Sequence, residues 1–214
     1  MKSPNLYVTT MIALVSLALV SGTLAIAADP PKDAPPAVPQ LPPGWTMDDM
    51  KACIAAGTPG KMQEHLAKGV GNWVGKNTMW MAPGAPPVVT QCSSTVTPVM
   101  DGRYVTVATK GEMPGMGIYN GLGTYGYDNV SGKFVGTWID NQSTGIMTGA
   151  GQLSDDGKVM TWTFTYNCPL TRKPAVMREV DTTTGPNTQT IEMFGADPKS
   201  GKEYKMVSIE MTRK

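Results

Sequence analysis

The segment Met160-Thr-Trp-Thr-Phe-Thr-Tyr-Asn167 places Met160, Trp162, Phe164 and Tyr166 on one parity and threonines on the other. Strict alternation of this kind fits a half-buried β-strand and no helix. The same period runs from Gly71 to Lys214, broken by turn-forming clusters at Asp101-Gly102, Asp128 to Gly132, Asp140 to Gly145, Asp155 to Gly157, Gly185 to Asn187 and Asp197 to Gly201. These divide the region into about ten strands joined by hairpin-length loops. No helix-length pattern interrupts them, so parallel crossover units are excluded and an antiparallel meander is expected. So many twisted strands leave two raw edges unless the sheet closes. A closed up-and-down barrel is therefore the expected all-β fold over residues 71–214, with a β-sandwich as the alternative.

Ahead of the strands lie two short helical signals within residues 46–70. Thr46 with Asp49 forms a capping-box pattern, and Met47, Met50 and Ile54 share a face before Gly57. Pro59 is expected at the first position of the second helix, where Met62, Leu66 and Val70 make an apolar stripe. Residues 28–45 are a proline-rich linker, with seven prolines between Asp29 and Gly44, a composition that populates polyproline II. Residues 1–27 read as a secretory signal peptide: Lys2, the apolar run Met11 to Val20, and the small-residue pattern Ala25-Ile-Ala27. The expected location is periplasmic or extracellular, with no stable membrane insertion after cleavage.

Cleavage leaves 17 basic and 17 acidic side chains with no run of either sign, which argues against nucleic acid as a partner. Cys53, Cys92 and Cys168 include no CxxC pair; export permits one bridge, and three small apolar side chains are the other reading. Oligomeric state is not readable.

Closure has a specific signature. Gly71-Asn-Trp73 opens the first strand, and Val207, Ile209, Met211 and Arg213 alternate on the last, so that the Arg213 guanidinium can lie over the Trp73 ring in a closed barrel. In these residues the chain resembles the lipocalin-like (calycin) superfamily, with a short helix, Gly-x-Trp on the first strand and a late arginine. A longer resemblance runs through "GLGTYGYDNVSGKFVGTWID" from Gly121, Ser143-Thr-Gly145, Gly201-Lys-Glu203 and Thr212-Arg-Lys214. It is similar to the bacterial domain-of-unknown-function family numbered 1579. That resemblance implies a calycin-like fold and no assigned activity. Some calycin relatives, the nitrobindin-like ones, hold haem through a histidine late in the chain; none follows His65 here, so no cofactor is expected.

The preferred function is a non-catalytic binding module for a small hydrophobic molecule enclosed by the barrel. Trp138, Met160, Trp162, Phe164 and Tyr166 are the expected lining, with Tyr127 and Asp140 as polar ends at the rim. Two alternatives stand beside it. An enzyme would use Asp140 and a tyrosine at the rim, although Asp140 to Ser143 also reads as a turn. Copper(I) binding would use thioethers of Met79 and Met81 or Met113 and Met116, although packing is the preferred explanation of these methionines. No other metal site is expected.

Overall fold

In a computed structural model of the chain, the structure describes residues 41–214. The leader at 1–27 and residues 28–40 of the proline-rich segment lie outside the described residues. Ten strands follow two helices: α1 (Met47–Gly57), α2 (Lys61–Ala67), β1 (Gly71–Met79), β2 (Val88–Val99), β3 (Tyr104–Met113), β4 (Gly117–Asp128), β5 (Lys133–Asp140), β6 (Met147–Leu153), β7 (Val159–Cys168), β8 (Lys173–Gly185), β9 (Thr188–Ala196) and β10 (Glu203–Arg213). Each strand pairs antiparallel with its neighbours in sequence, and β1 also pairs with β10, which closes the barrel. The sandwich alternative is excluded.

The seam is the expected one. Trp73 and Arg213 face each other in register, and the guanidinium carbon lies 4.3 Å from the Trp73 ring centroid. Trp73 is 4 % exposed, and its Nε1 donates to the Gly69 carbonyl at 2.9 Å. Arg213 also donates to the carbonyls of Val70 and Lys68, the chain segment leaving α2. Gly71 has φ +134°, and a Cβ there would stand 3.1 Å from Arg213 Nη1. Only glycine accepts that backbone under the guanidinium.

The helices depart from expectation in two respects. Helix α1 has its capping box, with Asp49 N–H donating to Thr46 Oγ1 at 3.2 Å, but it buries no residue. Met47 and Ile54 are exposed and only Met50 is half-buried, so most of the expected packing face is unused. Polar contacts hold α1 instead: Asn129 Nδ2 reaches the carbonyls of Ala55, Ala56 and Thr58, the last at 2.8 Å, and Arg103 Nε donates to Gly57 O at 2.9 Å. Pro59 does not open α2. The N-cap is Gly60, whose N–H donates to Gln63 Oε1 at 2.8 Å, and Lys61 is the first helical residue.

Helix α2 packs on the ends of β3 and β4. Gln63 is 6 % exposed and donates from Nε2 to Tyr127 O and Asn129 Oδ1, both at 3.1 Å. Leu66 meets the buried cluster of Phe134, Met160, Trp162 and Phe164. One end of the barrel is thus shut by α2; no helix crosses the other end among the described residues.

Candidate functional site

Parity, once closure sets it, puts Phe134, Gly136, Trp138 and Asp140 of β5 inside, and leaves Val135 and Ile139 exposed. Large rings nevertheless do not fill the barrel, because each lies against a glycine on the next strand. Trp138 is in register with Gly123, Phe164 with Gly149, Trp162 with Gly151 and Tyr125 with Gly136. A Cβ would come within 2.8 Å of Trp138 at Gly123, 2.5 Å of Phe164 at Gly149, 2.8 Å of Trp162 at Gly151 and 2.8 Å of Tyr125 at Gly136. Real Cβ atoms do not approach so closely, so these glycines are seats for rings folded down onto the wall. The rings make edge contacts along the wall: Tyr125 and Trp162 have centroids 5.1 Å apart, Tyr127 and Phe134 4.9 Å.

What remains is a cavity of about 940 Å³. Of the residues expected to line it, Trp138, Asp140, Met160, Trp162 and Phe164 do so; Tyr127 and Tyr166 do not. Tyr127 packs under α2 against Phe134, and the antiparallel register puts it and Asp140 at opposite ends of the same hairpin. They cannot act as a pair. The tyrosine near Asp140 is Tyr119, whose hydroxyl accepts from Trp138 Nε1 at 2.9 Å. Burial, with smaller contributions from the Asp140 and Glu179 charges, pushes the Tyr119 phenol up to about 12. Asp140 also performs the turn role: its Oδ1 accepts from Gln142 N–H at 2.9 Å.

Methionine supplies much of the remaining wall. Met79, Met113, Met147, Met177 and Met193, from five strands, line the cavity toward the end that α2 leaves uncovered. The proposed copper pairs do not converge, since Met79 is 5 % exposed while Met81 is 57 % exposed, and Met116 is likewise exposed where Met113 lines the cavity. Among the described residues no group of three or more His, Cys, Asp or Glu is placed to hold a metal. The cysteines are unpaired: Cys53 is exposed, Cys92 half-buried and Cys168 buried. His65 lines the cavity beside Leu66, with its ring edge-on to Phe134 at 6.2 Å. Burial, then the Lys68 charge, holds its pKa below the usual histidine value.

The site residues that sequence reasoning missed are Glu179 and Asp181. In Val176-Met-Arg-Glu-Val-Asp181 the valines suggest the inward parity, yet the structure turns Met177, Glu179 and Asp181 inward and leaves Val176 exposed. Glu179 is 8 % exposed. Asp181 borders the cavity, so part of it is open to the lumen, yet its Oδ1 is sealed and has no hydrogen-bond partner. Burial drives both carboxyls toward the neutral form. It raises Glu179 well above the carboxylate range, with the Asp181 charge adding to the effect, and raises Asp181 to about 7, with the Trp162 side chain offsetting part.

Residues 58–213 match the family described as "Protein of unknown function (DUF1579)". The chain belongs to the DUF1579 family. No curated protein matches this DUF1579 chain. Among solved structures it is similar to Rv2717c from M. tuberculosis, with TM-score 0.57 and 12 % identity over 73 % of this chain and 99 % of that one. It is also similar to the S-type phycobiliprotein lyase CPES from Guillardia theta, with TM-score 0.51 and 11 % identity over 76 % and 96 % of the two chains. At these identities what is shared is the fold, a lipocalin-like barrel.

Proposed function

We propose that this DUF1579 protein is an exported, non-catalytic carrier that encloses one small apolar molecule inside its barrel. The observation that carries this reading is the cavity: about 940 Å³, shut at one end by α2 and walled by methionines and by rings laid flat on glycines. Ligand sites of drug-sized molecules occupy roughly 300–1,000 Å³ and are mostly apolar with a few placed polar groups. Thioether chains adapt to varied apolar shapes, which suits a pocket that must accept a guest where it has no filling side chain. The leader read at residues 1–27 supports export; a purified protein whose mass corresponds to cleavage after Ala27 or Ala28 is the expected result.

Titration with the apolar fluorophore N-phenyl-1-naphthylamine tests the carrier reading. Saturable binding at one site is expected, with the emission shifted to the blue. Ile191→Trp, which puts an indole into the lumen, is expected to abolish uptake while the far-ultraviolet circular dichroism is unchanged. Absence of saturable binding by the native protein, or undiminished binding in that variant, overturns the reading.

A further inference from the structure

Among the described residues neither Glu179 nor Asp181 has a cationic partner, and the Trp162 side chain offsets only part of the burial of Asp181. Both side chains lie on the inward face of β8, two residues apart, a separation of about 6.5–7 Å along a strand. Among the described residues no salt bridge includes either of them. The cavity lining also contains cations, and none of them forms an ion pair with either acid. Lys68 follows α2, Lys158 lies in the β6–β7 turn, and Arg213 is engaged with Trp73 and two carbonyls at the seam. The nearest cation in sequence, Arg178, points outward and pairs with Glu203 at 3.0 Å.

The unsatisfied atoms have one polarity. The buried side-chain atoms without a partner among the described residues are Asp181 Oδ1 and Asn77 Oδ1, both acceptors in residues lining the cavity. Glu179, more than nine-tenths buried, stands beside them in the cavity wall. Unpartnered buried acceptors are destabilising, and buried like charges more so. The surrounding wall is also suited to a cation: Trp162 is in register with Glu179, Tyr125 lies edge-on to Trp162, and a positive charge is favoured over such ring faces. With no third carboxylate, histidine or cysteine grouped with them, the pair lacks the donor number that a hard divalent cation takes.

From this arrangement we infer that the carrier's guest is a cationic amphiphile, an apolar body with a primary amine, amidine or guanidinium head that donates to Glu179 and Asp181. The inference rests on the carrier reading above and adds the chemistry of the head group. In the empty barrel protons keep the two acids from facing each other as a bare charge pair. A bound ammonium takes the place of one proton, so that one carboxylate and one still-protonated acid accept its N–H bonds with no net charge left over, while its tail covers the methionine wall. One proton leaves to solvent for each ammonium that enters, and no other covalent bond is made or broken.

Displacement of N-phenyl-1-naphthylamine from the full-length mature protein by dodecylamine, dodecanol and dodecanoate at pH 7.5 tests the head group with the tail held constant. Dodecylamine is expected to displace the fluorophore at a concentration at least tenfold below that of dodecanol, with dodecanoate weakest. In Glu179→Gln/Asp181→Asn the ratio of dodecanol to dodecylamine concentration needed for half-displacement is expected to fall to about one, each variant titration being referred to that variant's own affinity for the fluorophore. Equal or tighter binding of the alcohol or the carboxylate in the native protein overturns the inference and leaves the carrier reading intact. An amine advantage that survives the double substitution, or thermal stabilisation by Ca²⁺ or Mg²⁺ that the double substitution removes, also overturns it. Failure of the fluorophore itself to bind is the separate result that removes the carrier reading.

Discussion

The two parts of the barrel interior treat polar groups in opposite ways. At the end shut by α2, Gln63 is buried yet bonded at both its amide atoms, Trp73 N–H meets Gly69 O, and the Arg213 guanidinium is shared between a ring and two carbonyls. In the lumen, no ion pair among the described residues includes Glu179 or Asp181, and Asn77 Oδ1 has no donor among them. One region is finished by its own chain. The other keeps a buried acceptor without a donor among the described residues, and on the proposed reading a guest completes it.

If that contrast is right, the heaviest loss comes from the shut end. Trp73→Ala is expected to destabilise by about 3–5 kcal/mol in urea unfolding, as large core truncations do; under 1 kcal/mol would mean that the seam is not a core. The lumen wall should be less costly to disturb. Gly151→Val drives a side chain into the Trp162 ring and is expected to destabilise by about 1–3 kcal/mol through overpacking. Its Trp fluorescence should shift as the indole is lifted off the wall.

The carboxyl pair should behave with the opposite sign. A folded-state pKa raised above the unfolded value means that the native protein binds its protons more tightly than the unfolded chain. Stability from this source is complete below about pH 4 and falls as pH rises toward about 7, the value for Asp181. Glu179→Gln/Asp181→Asn in the absence of ligand is therefore expected to stabilise by about 1–3 kcal/mol at pH 8 and to change little at pH 4. A variant less stable than the parent at pH 8 would show that the protein itself satisfies these acids.

Smaller effects are expected around α1. Asn129→Ala removes the amide that meets three carbonyls at the end of that helix, and a loss of about 1 kcal/mol is expected. Ile54→Ser, on the exposed face, should change stability by less than about 0.5 kcal/mol. A larger loss would show that this face is covered in solution.

Much of this was legible residue by residue. The alternation at Met160 to Tyr166, the turn clusters and the Gly71-x-Trp73 and Arg213 ends led to ten strands and to their seam. The inward parity of β5 was not legible, because Phe134 and Trp138 on one face compete with Val135 and Ile139 on the other. The run of glycines in β4 does not announce its use in the sequence: Gly121 and Gly123 seat the Trp138 ring and Gly126 that of Tyr104. Hairpin length does not say which end of the barrel a residue reaches, so the sequence does not separate Tyr127 from Asp140, which the register puts at opposite ends. Asn129 read as a turn residue, and nothing in its neighbours announces that it caps a helix more than seventy positions earlier.

Local order is written in nearest neighbours: periods, caps and turns act over a few residues, so the chain's own letters suffice to name strands, hairpins and the seam between first and last. Whether the interior is hollow or filled, and which acids end up enclosed in it, depends on which residues of separate strands come into register. That is decided only when the sheet closes, because closure alone sets the parity of every strand at once and lays each ring on its glycine.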